Sequence, residues 1–331
     1  PGPGPAIELG PLMRAHLENM RLRRSAARWV DVQHAEPLAL APRAGAVASV
    51  GRTMFETEGL PEGWIESCGH MTELWLPSTW TAEMFVRHGL APEKAVVIPE
   101  VVPEPYFDAH GEFALPARRG TAFLAIFDWQ YRKGWDVLLE AFTAAFTDRD
   151  DVSLHLLTHS MLRYSHHDIR AAAMRAMHRV RSHALPAVSF VPGPVPEVSM
   201  PGLFASADVY VLPTRGEGWG RPFAAAMATG TPVIATDQGG HREFVDEGNA
   251  LLVPSRLVPV PPAAAAERPV YAGLQWLEPD REALAVLLRC SVEDDHGLRT
   301  RRARQAVESY RGPAIAARMR ARIEALLEGG P

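Results

Sequence analysis

The residues best suited to chemistry stand in one glycine-rich turn, PTRGEGWG, which follows the apolar run DVYVL. Gly216, Gly218 and Gly220 allow positive backbone φ angles and let the backbone come close to a ligand. Glu217 is the acid between them. Three glycines are also typical of a plain strand-to-helix turn, and their spacing does not match the dehydrogenase pattern G-x-G-x-x-G.

The helix predicted behind this turn begins near Arg221, because Pro222 suits the first turn of a helix. Its free N–H groups and the positive end of its dipole would face the turn, where an anion or sugar hydroxyls would bind. The helix carries several alanines, Ala225 among them, and no acid. One carboxylate and one helix end are therefore the chemical groups of this motif.

A second candidate motif, Arg132–Lys133–Gly134, follows the apolar run TAFLAIF. Arginine binds phosphate through a planar fork and lysine acts as a point charge, so two adjacent cations beside a helix N-terminus suit a diphosphate. Basic residues in a loop are by themselves more often solvated surface. Their position after a strand, like that of the glycine turn, favours a binding site.

A third candidate motif, DQGGHREFV, places Gly239 and Gly240 after the apolar run TPVIAT, with Glu243 three residues further on. Such a turn brings backbone amides and an acid to the same kind of strand end. The plain alternative is a tight turn with the acid at an exposed helix start, where acids are favoured.

These motifs follow the strands of a predicted parallel sheet. From about residue 120, short apolar runs alternate with amphipathic helices, and this pattern indicates a doubly wound α/β fold. Ligands bind at the carboxyl ends of such strands, which is where all three motifs lie. The strands predicted in this part of the chain are 121–127, 152–159, 187–191, 208–213 and 231–236.

The first hundred residues follow the same pattern more weakly, with four short predicted strands at 29–34, 46–51, 73–78 and 95–100. Four strands are few for an independent nucleotide-binding sheet, so we expect its first strand to be missing. The chain begins PGPGPAIELG without a methionine, which suits a fragment of a longer polypeptide.

The length of 331 residues favours two domains. Residues 102–120 predict a linker between them, and residues 253–273 predict a surface excursion. We predict an acceptor-side Rossmann-like domain, a nucleotide-sugar-binding Rossmann-like domain, and C-terminal helices that could pack back on the first domain, with bounds at 1–105, 106–300 and 301–331.

The charge pattern and the cysteines exclude several classes of protein. A net charge of −5 with interspersed acids and bases lacks the basic face of a nucleic-acid-binding protein. Two distant cysteines, Cys68 and Cys290, exclude a disulfide framework and favour a cytoplasmic location. No apolar run is long enough to span a membrane. The clustered histidines lack acidic or thiol neighbours, so we predict no metal site.

Taken together, these motifs give the chain a family resemblance. It is similar to the family-4 retaining glycosyltransferases of GT-B fold, which typically carry R-x-x-x-x-x-K-G, then P-S-x-x-E-G-F-G-x-P-x-x-E-A-M-A-x-G-x-P-V-I-A, then G-G-x-x-E. The corresponding stretches here are YRKGWDVLLEAF, PTRGEGWGRPFAAAMATGTPVIAT and GGHREFV. The resemblance runs over about residues 70–290, and LPSTWTAEMFVRHGLAPEKAVVIPE resembles the end of the family's N-terminal domain.

The resemblance implies two Rossmann-like domains with a nucleotide-sugar donor in the cleft between them and no other cofactor. Lys133 and Arg132 would hold the donor diphosphate, and Glu217 would be the first acid of the paired-glutamate signature. The backbone of Gly218–Pro222 would contact the donor sugar. The further donor-binding candidates are Gly193, Trp219, Gly220, Arg221, Ala225, Gly239 and Gly240, and the acceptor-side candidates are Glu56 and His34.

The sequence departs from the family pattern at specific positions. The second glutamate of the signature, commonly a ribose ligand, falls on Ala225, and the family's earlier arginine falls on Phe127. A histidine often found near the donor sugar has no clear match. Glu56 stands at about its place, and His34 ends an earlier strand.

We therefore predict a metal-independent glycosyltransferase that moves a sugar from a nucleoside diphosphate to an acceptor with retention of anomeric configuration. Because Ala225 replaces an acid of the family pattern, three alternatives remain: a non-catalytic protein that binds a nucleotide or glycan, a partner subunit, or an inactivated enzyme. A sugar-nucleotide epimerase of the same fold is the other alternative. The sequence gives neither the base, the sugar nor the acceptor.

Overall fold

A parallel four-stranded sheet begins the fold in the computed structural model, which describes residues 28–160 and 164–329. Its strands lie side by side in chain order. They are β1 (Val30–His34), β2 (Ala48–Arg52), β3 (Glu73–Leu76) and β4 (Ala95–Val97). Residues 1–27, including the PGPGP start, lie outside the described residues, so the prediction of a missing first strand stays a prediction.

A parallel six-stranded sheet forms the second half. Its strands are β5 (Thr121–Asp128), β6 (Val152–His159), β7 (Ala187–Phe190), β8 (Val209–Leu212), β9 (Val233–Thr236) and β10 (Leu251–Val253). Their spatial order is β10-β9-β8-β5-β6-β7, so the chain order reverses between β5 and β8. Such a switch point is where doubly wound sheets bind ligands. The predicted fold class is confirmed, and all nine predicted strands occur within about three residues of their expected bounds.

Helices connect the strands and cover both sheets. They are α1 (Trp64–Gly69), α2 (Thr79–Arg87), α3 (Trp135–Ala145), α4 (His166–Val180), α5 (Met200–Ala205), α6 (Arg221–Thr229), α7 (Pro262–Glu267), α8 (Arg281–Glu293), α9 (Gly297–Val307) and α10 (Gly312–Glu328). Helix α6 begins at Arg221, as predicted, after Gly220 in the left-handed conformation and with Pro222 in its first turn. None of the helices in the described ranges has the length and apolar character needed to cross a membrane.

Residues 254–279, called the excursion below, reach from the second sheet to the first domain. Strands β11 (Ser255–Pro259) and β12 (Gln275–Pro279) pair antiparallel and enclose α7. Trp276 and Tyr271 are buried in the same apolar cluster as Phe55 of the first domain. The prediction of a surface excursion over residues 253–273 is wrong for its buried residues Val260, Ala264 and Tyr271, which belong to the core of the other domain, while many of its other residues are exposed.

The last helix, α10, lies against the first sheet. Arg322 pairs with the buried carboxylate of Glu73 on β3. Met319 Sδ lies 4.0 Å from Arg52 Nη1 on β2. Because α10 follows the second sheet in the chain, these contacts connect the two halves a second time.

Removal of the Trp276 side chain tests how much the excursion contributes to the stability of the protein. Trp276→Ala is expected to lower the free energy of unfolding by about 3–5 kcal/mol, because the buried indole leaves a cavity. Leu257→Ala on the paired strand is the control, since Leu257 is 46% exposed, and its effect should stay within about 0.5 kcal/mol. Urea unfolding measures both variants, and equal midpoints would contradict the assignment of the excursion to the core.

Candidate active site

Three loops from the two sheets meet at one place. Residues 129–134 follow β5, residues 213–220 follow β8, and residues 53–58 follow β2. Strands β5 and β8 are neighbours, so their loops lie side by side, and Arg215 N donates a hydrogen bond to Arg132 O at 2.7 Å. The predicted cationic motif and the predicted glycine turn are thus brought together at the switch point.

Glycine is required where these loops cross. A Cβ on Gly134, whose φ is +66°, would lie 1.9 Å from the carbonyl oxygen of Pro213. A Cβ on Gly216 would lie 1.7 Å from the carbonyl oxygen of Glu56 in the first domain. No side chain fits at either distance, so Gly134 allows the two loops of the second sheet to pack closely, and Gly216 allows backbone to pack on backbone across the cleft.

Arg215 anchors the glycine turn to its own domain. Its guanidinium is 5% exposed and binds Asp136 of α3 at 2.7 Å and Glu278 of β12 at 2.7 Å. A buried arginine with two carboxylates has its charge balanced and its fork of donors satisfied. The turn and the excursion therefore hold each other in place.

A cavity of about 430 Å³ lies between the loops and contains most of the predicted site. The predicted candidates on its wall are Glu56, Arg132, Lys133, Glu217, Trp219, Gly220, Arg221, Pro222 and Ala225. The remaining wall residues are Met54, Glu100, Val101, Val102, Pro103, Tyr106, Ile126, Glu197, Met200 and Phe204.

Glu217 is a buried wall residue surrounded by donors and cations. Lys133 Nζ donates to its Oε1, Thr214 Oγ1 donates to the same oxygen at 3.2 Å, and Arg132 Nη1 lies 3.6 Å away. Burial opposes the charge of Glu217, but the nearby Lys133 and Arg132 outweigh it and lower its pKa. Burial and the charge of Arg132 lower the pKa of Lys133. Glu217 is therefore a carboxylate at neutral pH.

Arg132 is held on three sides by protein groups. It donates to Gly216 O at 2.5 Å and to the Tyr271 hydroxyl at 3.1 Å, and its Nη2 lies 3.4 Å from Glu56 Oε1. The Tyr271 hydroxyl also donates to Glu56 Oε2 at 3.3 Å. Glu56 belongs to the first domain and Tyr271 to the excursion, so one guanidinium joins three parts of the chain.

The glycine turn presents a row of free backbone donors. Gly216 N donates to Thr214 Oγ1 and Phe223 N to Gly220 O, but the N–H groups of residues 217–221 form no hydrogen bond with the described residues. The indole N–H of the buried Trp219 also lacks a partner there. The first N–H groups of a helix have no partner inside the helix, and such donors, with the buried indole N–H beside them, suit phosphate or sugar oxygens.

Gly218 is placed differently from its predicted role. Its carbonyl oxygen accepts hydrogen bonds from Ser78 Oγ at 2.7 Å and Thr81 Oγ1 at 3.1 Å, both at the start of α2. A Cβ on Gly218 would lie 3.1 Å from Met54 Cβ. This residue therefore faces the first domain and does not line the cavity.

Four other predicted residues lie outside the cavity wall. Gly240 N donates to Glu217 O at 2.7 Å, so Gly239 and Gly240 support the turn from behind. Gly193 lies in an exposed loop after β7, and His34 is exposed at the end of β1. The structure gives the two adjacent glycines a packing role and brings neither Gly193 nor His34 to the site.

Three residues of the site were not predicted from the sequence. Tyr271 stands in a stretch rich in proline and alanine that has no periodicity, so no signal marks it. Thr214 lies inside the motif but resembles an ordinary turn residue. Ser78 was detectable, because a serine three residues before Thr81 at a helix start is typical of an N-cap, and Thr81 N does donate to Ser78 Oγ at 3.2 Å.

An aromatic stack includes Phe127, the position at which the resembled family has an arginine six residues before its lysine. Phe127 is 4% exposed and its ring centroid lies 5.9 Å from that of Trp129, which stacks on Trp135 at 4.3 Å. These rings belong to the core beside the cationic loop. The positive charge next to Glu217 therefore comes from Lys133 and Arg132.

Comparison with protein families finds a match over the part of the chain that carries Lys133 and Glu217. Residues 118–268, which are a little less than half of the chain, match the family described as glycosyl transferases group 1. Phosphatidyl-myo-inositol mannosyltransferase of Mycobacterium leprae is 32% identical over 144 residues, which are 43% of this chain and 34% of that protein. Mannosylfructose-phosphate synthase of Agrobacterium fabrum is 28% identical over 135 residues, which are 40% of this chain and 29% of that protein. The matches span about a third of these relatives.

Solved structures share the fold over most of the chain. Sucrose-phosphate synthase from Thermosynechococcus elongatus has a TM-score of 0.63 at 20% identity, covering 95% of this chain and 71% of that one. The Anabaena protein HepE, solved with UDP and glucose, has a TM-score of 0.63 at 15% identity, covering 84% and 72%. The fold is therefore GT-B.

Neutralising Glu217 tests the electrostatics of the site. Glu217→Gln leaves Lys133 and Arg132 buried side by side without their shared anion, so we expect a loss of about 3–5 kcal/mol in unfolding free energy at pH 7. The lowered pKa of Glu217 means that its contribution is present above 4.5, its ordinary value, and is lost as the pH falls through the lower folded-state value.

The measurement is urea unfolding of parent and Glu217→Gln at pH 7 and in steps below 4.5. The difference in unfolding free energy between the two proteins should become smaller as the pH falls, because Glu217 of the parent then becomes protonated and loses its charge. Glu247→Gln is the control, since the Glu247 side chain is 76% exposed. A gap that stays constant over this pH range would contradict the ionised state assigned to Glu217.

Proposed function

We propose that this chain, through its glycosyl transferases group 1 domain, transfers a sugar from a nucleoside-diphosphate-sugar donor to an acceptor with retention of anomeric configuration. The observation that carries the proposal is the set of cavity-wall N–H groups at residues 217 and 219–221, which have no hydrogen-bond partner among the described residues and lie beside the Lys133–Glu217 pair. The mannosyltransferase and synthase names of the relatives, and the UDP and glucose bound by a structural neighbour, support a nucleotide-sugar as the donor.

In this proposal the donor diphosphate binds along the free N–H groups, with Lys133 as a nearby cation. A phosphate oxygen then competes with Glu217 for Lys133 Nζ. Donor binding would shift the ammonium group toward phosphate and free Glu217 Oε1 to accept a hydrogen bond from a sugar hydroxyl. Arg132 stays in place, because Gly216, Tyr271 and Glu56 hold it.

The bond between the anomeric carbon and the diphosphate oxygen breaks as the bond to the acceptor oxygen forms on the same face of the sugar. Negative charge grows on the leaving diphosphate, and donors fixed in advance stabilise that charge. The diphosphate takes the acceptor proton, so no protein nucleophile is required. Because cationic side chains and amides supply the positive charge, we predict that activity persists without an added metal ion or any further cofactor.

A non-catalytic binding protein is the second candidate function, and Ala225 is the observation that favours it. Ala225 lies on the cavity wall with the apolar side chains of Ile126 and Phe204. A ribose hydroxyl there would lack a carboxylate partner. Loss of a charged hydrogen bond costs about 1.5–3 kcal/mol, or roughly tenfold or more in affinity, which weakens donor binding without abolishing transfer.

Donor recognition and turnover test the proposed function together. UDP-, GDP-, ADP- and dTDP-sugars are screened for thermal stabilisation, and at least one should raise the melting temperature, because ligand that binds only the folded state stabilises it. With that donor, Lys133→Met should lower turnover by about 100-fold, since one fixed donor of the leaving-group site is removed. Lys133→Arg, which keeps the charge, should retain more activity.

Each outcome has a distinct meaning. NMR of the product should show an unchanged anomeric configuration, and inversion would contradict the mechanism. Binding of a donor with neither hydrolysis nor transfer would favour the non-catalytic candidate. Isomerised donor in place of a transfer product would favour an epimerase. Absence of stabilisation by every nucleotide-sugar in the screen would contradict a nucleotide-sugar site.

A further inference from the structure

One cation on the cavity wall, Arg221, has no carboxylate partner among the described residues. Arg132 and Lys133 are already engaged with Glu56 and Glu217. Arg221, the first residue of α6, lines the same cavity and is exposed. Its side chain forms no hydrogen bond or ion pair with any residue in the described ranges.

The surroundings of Arg221 place its charge on the cavity side of the helix. Tyr106, another wall residue, has a pKa that burial raises and that the charge of Arg221 lowers in part. Glu197 lies on the same wall, but no ion pair joins it to Arg221. Arg221 and Tyr106 therefore lie on the same wall of the cavity, close enough for the charge of the arginine to act on the tyrosine.

Ala225 explains why the guanidinium stays free. Residues four apart on a helix are neighbours on one face, with Cβ atoms about 5–6 Å apart. An acid at position 225 would be the natural partner of Arg221, but the alanine there offers no charge. The apolar side chains of Pro222 and Ala225 leave the guanidinium as the polar group on this part of the helix.

We propose that the Arg221 guanidinium binds a phosphate group of the donor, and that Ala225 is the residue that keeps it available. This inference rests on the proposed function. Arg221 shares the cavity wall with Trp219 and Gly220, whose backbone N–H groups, like the buried indole N–H of Trp219, have no partner among the described residues. An arginine fork can bind two phosphate oxygens at once, which complements single contacts from amides.

Arg221 would add a cationic side chain to the N–H groups of the helix end. Arg132 and Lys133 would have to leave carboxylates in order to bind phosphate, whereas Arg221 has no such competitor in the described residues. It would therefore make the first contact with an incoming anion. Lys133 would then exchange its carboxylate for phosphate in a later step.

The test measures binding of inorganic pyrophosphate and of UDP, GDP, ADP and dTDP by calorimetry. Arg221→Gln should weaken pyrophosphate and the preferred nucleoside diphosphate by about tenfold or more, and Arg221→Lys by less, because it keeps the charge and loses the fork. Ala225→Glu should weaken pyrophosphate similarly, since its carboxylate would pair with Arg221. Ala225→Gln adds a side chain of the same length without the charge, so it should weaken pyrophosphate binding less than Ala225→Glu does.

Arg256→Gln is the matched control, because Arg256 is an exposed arginine on β11 outside this cavity, and its pyrophosphate affinity should not change. Thermal unfolding confirms that each variant is folded. Unchanged pyrophosphate binding by Arg221→Gln, with weakened binding by Lys133→Met, would overturn the role of Arg221 and leave the proposed function standing. If the parent binds neither pyrophosphate nor any of the four nucleoside diphosphates, both proposals fail.

Discussion

The buried carboxylate of Glu217 is the constraint on which the site depends. A charge taken out of water costs several kcal/mol unless partners satisfy it, so the fold must bring cations and donors to one point. Lys133 and Arg132 come from the loop after β5, and Thr214 comes from the loop after β8. Those loops are adjacent only because the strand order reverses at this position.

The same network ties the two domains together. Arg132 balances Glu217 on one side and Glu56 of the first domain on the other, while Tyr271 of the excursion bonds to both Arg132 and Glu56. The excursion is in turn fixed by the burial of Trp276 and by the pairing of Glu278 with Arg215. The same residues therefore balance the charges of the site and hold the two domains together.

The sequence predicts the sheets well because each strand is a short apolar run that needs no distant partner to be recognised. It also predicts which strand ends carry the site, since the positions of Lys133 and Glu217 follow from the parallel order. It fails where a residue's role depends on a distant part of the chain. Tyr271 becomes a site residue only because the excursion folds back on the first domain, and Gly218 turns its carbonyl to Ser78 across the cleft.

The hydrogen bonds from Ser78 and Thr81 to the Gly218 carbonyl have a consequence for modularity. A glycine turn that would bind the donor from one domain is also held by hydroxyl groups of the other. The two halves are thus not interchangeable parts, although each has its own parallel sheet. A chimera that took its first half from another protein of this fold would keep these two contacts of the turn only if that half also offered hydroxyl donors at the start of the corresponding helix.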